Sequence, residues 1–230
     1  EITRKYRIRW SGGLRIDIID EEMISRLEKG GCQYIFFGIE SVNETIAKYI
    51  SKGLNLKKIN PAIELMAKSS IPAVYSFMNG FPGEDKDSLR QQLDFVDYVL
   101  RTSPRAEIAL QPYNPLPGTP LFQEALRQGF KTPEKLSGWG RMTTGEVLGP
   151  WVKDKALLKN LYLISFLTFR GERFLKSLIF FPLYKIARLR WKFRFFKFCF
   201  ERWLYCLLVG VCVIIDDFKL IFARLRWSLL

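Results

Sequence analysis

The sequence has 230 residues, with 36 Lys and Arg against 23 Asp and Glu, and 48% of its residues are hydrophobic. A chain of this length and composition can bury a hydrophobic core, which excludes a disordered tail. The sequence contains no histidine, and this excludes the Ser-His-Asp triad and every histidine-ligated zinc site. Its four cysteines are too few for a disulfide scaffold and show no Cys-x-x-Cys spacing, as is typical of proteins in a reducing cytoplasm.

Charge and aromatic residues are concentrated toward the C-terminus. Residues 170–230 hold 13 Lys and Arg against 4 Asp and Glu, together with 15 of the 34 aromatic residues. Glycines and a proline interrupt any regular pattern between 138 and 155. We therefore expect an α/β domain over 1–137, a linker over 138–155 and a basic, aromatic helical region over 156–230. Because the sequence begins at Glu1 inside a domain-like segment, we also expect a fragment of a longer polypeptide.

The first half of the chain alternates strand and helix signals. A β-rich run over 7–19, broken by two glycines, precedes a helix that Asp20 is expected to cap and Gly30 to end. The continuous apolar run 34–39 predicts a strand buried on both faces. Helices are predicted over 43–50 and over 56–69, the second with Asn60 as its cap and Pro61 in its first turn.

The same alternation continues to residue 129. Residues 73–78 predict a strand that ends in a Gly-Phe-Pro-Gly turn at 80–83. Leucine and valine at helical spacing over 89–100 predict a helix, residues 107–110 a further strand, and Thr119 the cap of a helix that begins at Pro120. Four strand–helix units in series predict a parallel sheet with right-handed crossovers, either barrel-like or doubly wound.

A ligand site is expected at the carboxyl ends of these strands, because loops and helix starts gather there. The residues at those positions are Glu40, Ser41, Gly80 and Tyr113. Taken alone, Gly-Ile-Glu-Ser at 38–41 is typical of a strand end with a helix cap, and the turn at 80–83 of an ordinary loop. Their joint order along the chain favours a site.

Four segments resemble the radical S-adenosylmethionine (SAM) superfamily. They are RID at 15–17, FGIES at 37–41, FMNGFPGE at 77–84 and NPLPGTPL at 114–121. Their order over about residues 7–130 is most similar to the branch whose members often carry an upstream cobalamin-binding domain, and methylthiotransferases share a related pattern. The resemblance implies an α/β fold, an incomplete parallel (β/α) barrel of about strands 3 to 6, followed by an α-helical, basic aromatic C-terminal region.

The resemblance also implies cofactors and the residues that bind them. Members of the superfamily use a four-iron, four-sulfur (4Fe-4S) cluster, SAM and an electron donor to generate a 5'-deoxyadenosyl radical, and cobalamin is a candidate third cofactor. By position, Glu40 matches the acid that contacts SAM in the superfamily, and Gly80 matches the glycine near the adenine. Gly38 would let the ligand approach the backbone closely. The other cofactor-binding candidates are Ser41, Arg15, Asp17, Pro112 and Tyr113. Arg15 and Asp17 fit a structural ion pair equally well.

The cluster ligands of the superfamily are missing from the sequence. No Cys-x3-Cys-x2-Cys motif occurs, and Cys199, Cys206 and Cys212 have the wrong spacing and follow the predicted barrel. We therefore assign no catalytic residue and no metal ligand, expect these three thiols to be buried, and expect the segment to be inactive alone. A homologue that never held the cluster is the alternative.

The C-terminal region fits either a membrane-surface binder or an ordinary packed helical cap. The uncharged run 203–215 is shorter than the roughly 20 residues that cross a bilayer, and residues 188–202 fit helical and strand spacing equally. Basic residues beside Trp and Phe suit anionic lipid headgroups or RNA, and the long aliphatic runs favour lipid over nucleic acid. We expect a cytoplasmic protein with peripheral contact at the inner face of the membrane through 170–230.

These observations lead to three functional hypotheses. The first is the SAM-binding half of a radical SAM enzyme that acts on a hydrophobic or lipid-like small molecule. The second is a tRNA-modifying enzyme similar to methylthiotransferases. The third is a non-catalytic barrel remnant that docks on a membrane or a partner.

Overall fold

The computed structural model of the chain describes residues 2–50, 53–143, 148–169, 181–198, 200–201, 203–204 and 207. The chain divides into two compact units, Glu1–Leu158 (unit 1) and Lys159–Leu230 (unit 2). Within the described residues, all strands lie in unit 1. Unit 1 therefore contains the sheet that positions the candidate site.

The sheet of unit 1 has four parallel strands. They are β1 (Trp10–Leu14), β2 (Cys32–Glu40), β3 (Ala73–Asn79) and β4 (Glu107–Pro112), and they lie in the order β1-β2-β3-β4. Each crossover places the next strand beside the previous one, so this sheet lacks the reversal of strand order that marks a doubly wound fold. The predicted incomplete parallel (β/α) barrel is confirmed.

Helices connect and flank the strands. Those of unit 1 and its boundary are α1 (Ile2–Lys5), α2 (Glu21–Lys29), α3 (Glu44–Tyr49), α4 (Ile59–Lys68), α5 (Lys86–Thr102), α6 (Pro120–Arg127), α7 (Leu136–Thr143) and α8 (Lys155–Phe169). Helix α9 (Phe181–Lys192) lies in unit 2, and short 3-10 helices occupy Ile16–Ile18 and Leu56–Lys58. Helix α7 lies across the start of the predicted linker. None of the described helices is long and apolar enough to cross a bilayer.

Side-chain capping explains four of the helix starts, those of α2, α3, α5 and α8. The Asp20 carboxylate accepts a hydrogen bond from the Met23 N–H at 2.7 Å, which confirms the predicted cap of α2. The predicted Asn60 cap is wrong. Helix α4 begins at Ile59 because the preceding 3-10 turn, capped by Asn55, runs directly into it, so Asn60 already lies in its first turn.

One face of the sheet packs beneath the helices. Side chains alternate between the two faces of a strand, and Phe37 of β2 stacks on Tyr75 of β3 with ring centroids 5.5 Å apart. Phe77, two residues after Tyr75, meets Phe95 of α5 edge-on at 6.1 Å. These buried rings fix the outer face, and the alternate residues of β2 and β3 form the inner face.

In unit 2, helix α9 ends at Lys192, within the segment 188–202. The described residues that follow form turns and bends, with a short helical stretch beginning at Glu201. The predicted burial of Cys199, Cys206 and Cys212, and most of the uncharged run 203–215, lie outside the described residues.

Candidate functional site

The carboxyl ends of the four parallel strands lie along one edge of the sheet. Strand pairing aligns Glu40 with Phe77 and Asn79 with Pro112, and the Tyr113 N–H donates to the Asn79 carbonyl at 2.8 Å. The structure thus brings the ends of β2, β3 and β4, which carry the predicted residues, to one edge.

Glu40 has an unusual backbone conformation at the end of β2. The pairing of β2 with β3 shifts by a bulge between Gly38 and Glu40, and Glu40 has a φ of 66°, in the left-handed region that favours glycine. Its carboxylate oxygen Oε2 is buried. Strained backbone and strand bulges concentrate at ligand sites, where they aim a side chain.

A row of small residues crosses the inner face of the sheet next to Glu40. The register aligns Gly38 with Ser76, and Ser76 with Ala109. None of the three has a side chain larger than a hydroxymethyl group, and Ser76 and Ala109 are buried, so the backbone at this level of the sheet can be approached closely. This observation fits the binding of a nucleoside such as that of SAM.

The turn after β3 is held by two residues that sequence reasoning missed. Gly80 has a φ of 83°; its N–H donates to the Glu84 carboxylate, and its carbonyl accepts from the Trp151 indole N–H at 2.7 Å. Asn79 also donates to Glu84, at 3.2 Å. Burial raises the pKa of Glu84, and these hydrogen bonds oppose the rise. The Gly80 backbone is therefore fixed from both sides.

Only one of these two residues could have been found from the sequence. Glu84 follows the Gly-Phe-Pro-Gly turn directly, so an acid at a glycine-rich strand end was a usable signal. Trp151 lies 71 residues from Gly80, and its contact depends on tertiary folding.

Tyr113 packs in an apolar cluster beside the turn. Its ring lies 4.8 Å from the ring of Phe81 and 6.2 Å from that of Trp151. Burial raises the pKa of the Tyr113 hydroxyl to about 12, so the hydroxyl stays protonated at neutral pH. In the adjacent residue, the buried Asn114 Oδ1 lacks a hydrogen-bond partner among the described residues, and a ligand N–H or O–H could satisfy it.

Arg15 and Asp17 connect the end of β1 to the loop after α3. Arg15 Nη2 lies 2.7 Å from Asp17 Oδ2 and donates to the Gly53 carbonyl at 2.7 Å, while Asp17 accepts from the Asn55 N–H at 3.0 Å. The hydrogen bond from Arg15 lowers the pKa of Asp17. These contacts are those of a structural ion pair, and a role of either residue in SAM binding stays a prediction.

Ser41 and Pro112 also lie at this edge. Ser41 is buried, and its hydroxyl accepts from the Asn43 N–H at 3.2 Å at the start of α3. Pro112 is the last residue of β4, opposite Asn79. Both positions are consistent with the predicted site without defining a contact to a ligand.

The described residues do not fit a 4Fe-4S cluster. They contain no group of three or more Cys, Asp or Glu side chains that could hold a metal ion. Cys32 is buried in β2, and burial raises the pKa of its thiol, which disfavours the thiolate that binds iron. The donor set at the strand ends is oxygen-rich, as suits the polar groups of SAM and not an iron–sulfur cluster.

Comparison with known proteins shows which family part of the chain resembles. Residues 7–96, from the approach to β1 into α5, match the radical SAM superfamily. An uncharacterized methyltransferase of Pyrococcus horikoshii is 29% identical over 142 residues, which cover 60% of this chain and 28% of that protein. A candidate methylthiotransferase of Methanocaldococcus jannaschii is 30% identical over 83 residues, which cover 36% of this chain and 18% of that protein.

A solved structure is also similar. It is the radical SAM methyltransferase TsrM from Kitasatospora setae with cobalamin and a 4Fe-4S cluster bound, at 19% identity and a TM-score of 0.46, covering 56% of this chain and 25% of that chain. The present chain thus spans less than a third of the length of these relatives. The match of residues 7–96 to the radical SAM superfamily implies SAM and a 4Fe-4S cluster as cofactors, and the residues present here fit the first of the two.

Proposed function

We propose that unit 1 forms the SAM-binding side of a radical SAM enzyme. The observation that carries the proposal is Glu40, which ends β2 in a left-handed conformation inside the segment that matches the superfamily. A carboxylate held there can accept hydrogen bonds from the ammonium group or the ribose hydroxyls of SAM.

The neighbouring strand ends supply the remaining contacts in this proposal. We propose that the nucleoside packs over the small residues Gly38, Ser76 and Ala109, and that the fixed Gly80 turn offers its backbone to the adenine. The Asn114 Oδ1 provides a buried acceptor for an N–H or O–H of the ligand. Ser41, Arg15, Asp17, Pro112 and Tyr113 stay predicted contacts or supports of this site.

In this proposal the residues present do not bind the 4Fe-4S cluster. Three thiolates in the motif of the superfamily would bind it, and the 230 residues lack that motif. We therefore propose that these residues bind SAM but do not cleave it alone, and that cleavage requires cluster ligands and an electron donor supplied elsewhere.

Methyl transfer with cobalamin onto a hydrophobic or lipid-like molecule is the reaction class that we favour. The similarity to a methyltransferase supports methyl transfer as the reaction. The exposed aromatic side chains of unit 2, among them Phe198 and Trp203, support a substrate reached at the inner face of a membrane.

A methylthiotransferase acting on tRNA is the second candidate, favoured by the similarity to the protein of Methanocaldococcus jannaschii. It predicts that the chain binds tRNA and releases it as salt rises. The third candidate, a docking module without catalysis, predicts that unit 1 does not bind SAM.

Equilibrium dialysis of the 230-residue chain against labelled SAM tests the proposal. We expect saturable binding that Glu40→Gln weakens roughly tenfold to a hundredfold, because a hydrogen bond to a charged group contributes roughly 1.5–3 kcal/mol. Glu44→Gln, at an exposed position on α3, is the matched control and should bind as the unsubstituted chain does. Absence of binding, or equal binding by the Glu40→Gln chain with a native circular dichroism spectrum, would refute the proposal.

A further inference from the structure

We propose that the segment after α9 is a preformed docking element for anionic lipid bilayers. The segment, here called the aromatic loop, comprises residues 193–198 and 200–201 of unit 2. Its residues are distinct from those of the SAM site, so the inference stands or falls independently of the proposed SAM binding; the proposed membrane-side substrate rests on the same exposed rings.

The aromatic loop exposes large apolar side chains to solvent. Phe198 is 84% exposed and Phe193 70%, and Phe195 and Phe200 are also exposed. Trp203, just beyond the loop, is 75% exposed. Single exposed hydrophobic residues are ordinary, whereas a group of large rings in about ten residues marks an interaction surface.

A buried guanidinium organises the backbone of the aromatic loop. Arg190 of α9 donates from Nη1 to both carboxylate oxygens of the fully buried Glu201, at 2.9 and 2.8 Å. The same guanidinium donates to loop carbonyls, namely those of Phe195 at 3.0 Å, Phe198 at 3.3 Å and Lys197. One side chain thus ties both ends of the loop together from inside.

Two further contacts fix the inner side of the loop. Phe196 is buried and meets Trp191 edge-on with ring centroids 6.0 Å apart, and its carbonyl accepts from Asn160 Nδ2 at 2.9 Å. The loop therefore has one ring packed inward and four exposed. A loop fixed in this way loses little conformational entropy when its exposed rings enter a lipid bilayer.

The charges around the exposed rings match an anionic surface. Residues 181–207 contain seven Lys and Arg and one acid, and that acid, Glu201, is neutralised by Arg190. Lys192 and Lys197 are exposed, and the Lys192 ammonium lies 5.7 Å from the ring centroid of Phe193. Each basic side chain near an anionic bilayer strengthens binding, while Trp and Phe anchor at the headgroup level.

Aliphatic side chains beside the rings favour lipid over single-stranded nucleic acid. Leu189 and Leu207 are exposed on either side of the loop in the sequence. A base stacks on a planar ring, and leucine offers no such face, whereas acyl chains accept both kinds of side chain.

Flotation of the 230-residue chain with vesicles tests the inference. We expect the chain to float with phosphatidylcholine vesicles that contain phosphatidylglycerol and to bind pure phosphatidylcholine more weakly. The double variant Phe198→Ser, Trp203→Ser should bind the mixed vesicles roughly tenfold or more weakly, because each buried ring contributes substantially to transfer from water. Tyr49→Ser, which removes an exposed ring of unit 1, is the matched control and should leave binding unchanged.

Two further measurements test the contribution of basic side chains to vesicle binding and the alternative that the loop binds RNA. Lys192→Glu with Lys197→Glu should weaken binding to the mixed vesicles and leave binding to pure phosphatidylcholine unchanged. A native circular dichroism spectrum for each variant shows that the fold is intact. No flotation of the unsubstituted chain with mixed vesicles, or equal flotation of the Phe198→Ser, Trp203→Ser chain, would overturn the inference, as would retention by poly(U) RNA without vesicle binding.

Discussion

Each of the two units shields a glutamate from solvent, Glu84 in part and Glu201 fully, but with different partners. In unit 1, Glu84 accepts from the Gly80 N–H and the Asn79 amide, which are neutral donors, and burial raises its pKa. In unit 2, Glu201 is paired with the Arg190 guanidinium. Neutral donors leave the carboxylate charge uncompensated, whereas an ion pair cancels it. The comparison predicts that the stability of the turn at the candidate SAM site depends on pH, while the aromatic loop is held by an ion pair.

Breaking the ion pair of unit 2 should have the largest effect on stability. Arg190→Met leaves Glu201 as an uncompensated buried charge and three loop carbonyls without their donor, so we expect the unfolding free energy of this unit to fall by roughly 3–5 kcal/mol. Arg188→Met makes the same chemical change at an exposed position and should cost about 1 kcal/mol or less. Urea denaturation followed by tryptophan fluorescence measures both.

The double variant Arg190→Met, Glu201→Met sharpens this result. Because it removes both charges and fills the space with apolar side chains, it should recover most of the lost stability. If Arg190→Met alone unfolds at the urea concentration of the unsubstituted chain, the pair is not the support of the aromatic loop.

Removing the indole donor at the SAM-side turn should have an intermediate effect. Trp151→Phe keeps a ring near Tyr113 and Phe130 but loses the N–H that donates to the Gly80 carbonyl at 2.7 Å. We expect unit 1 to lose roughly 1–2 kcal/mol of unfolding free energy and SAM to bind more weakly. Trp139→Phe, which changes a ring that packs on Phe122, is the matched control. Unchanged stability and SAM affinity for Trp151→Phe would contradict the role of this hydrogen bond.

The uncompensated charge of Glu84 predicts a pH dependence. The folded pKa of Glu84 lies above its ordinary value of 4.5, so the folded state binds the proton more tightly than the unfolded state does. The unfolding free energy therefore falls as pH rises through the window that begins near 4.5 and ends above the raised pKa. Glu84→Gln stays neutral and should gain stability relative to the unsubstituted chain across that window.

Denaturation curves at several pH values test the Glu84 prediction. The stability difference between Glu84→Gln and the unsubstituted chain should be smallest at acid pH, where Glu84 is protonated, and largest at neutral pH. A difference that does not vary with pH would show that the carboxylate is not the titrating group.

The ion pair of unit 1, in which Arg15 is exposed to solvent, should contribute least. Arg15 is largely exposed, so Asp17→Asn should lower the unfolding free energy by only roughly 0.2–1 kcal/mol. The folded pKa of Asp17 lies below its ordinary value of 3.8, so its contribution is present above that value and is lost as pH falls through the folded pKa. Thermal unfolding at neutral and acid pH checks this, and a loss comparable to that of Arg190→Met would contradict the contrast between exposed and buried pairs.

The parts of the fold that could be predicted from the sequence are those set by residues close together along the chain. The cap at Asp20, the buried run that became β2 and the helical spacing of α5 each depend on neighbouring residues, and each was found. The Asn60 cap failed because a 3-10 turn capped by Asn55 precedes α4 without a break. The helix cap position therefore lies two residues earlier than predicted, at Lys58, and this shift depends on how the turn packs.

The candidate site was predictable only in part, for the same physical reason. Glu40 and Gly80 end strands, and parallel pairing brings strand ends together whatever lies between them. The left-handed conformation of Glu40 occurs at a bulge in the pairing with β3. The hydrogen bond from the Trp151 indole to the Gly80 carbonyl joins residues that are 71 positions apart in the sequence. Both depend on tertiary contacts that spacing along the chain does not encode.

Hydrogen–deuterium exchange of the 230-residue chain with and without saturating SAM tests the shared site most directly. We predict that SAM slows exchange together at the ends of three strands, over residues 38–41, 79–83 and 113–114, and leaves residues 193–198 of the aromatic loop unchanged. Protection at only one strand end, or protection elsewhere in the chain, would contradict the claim that these strand ends form one SAM-binding site.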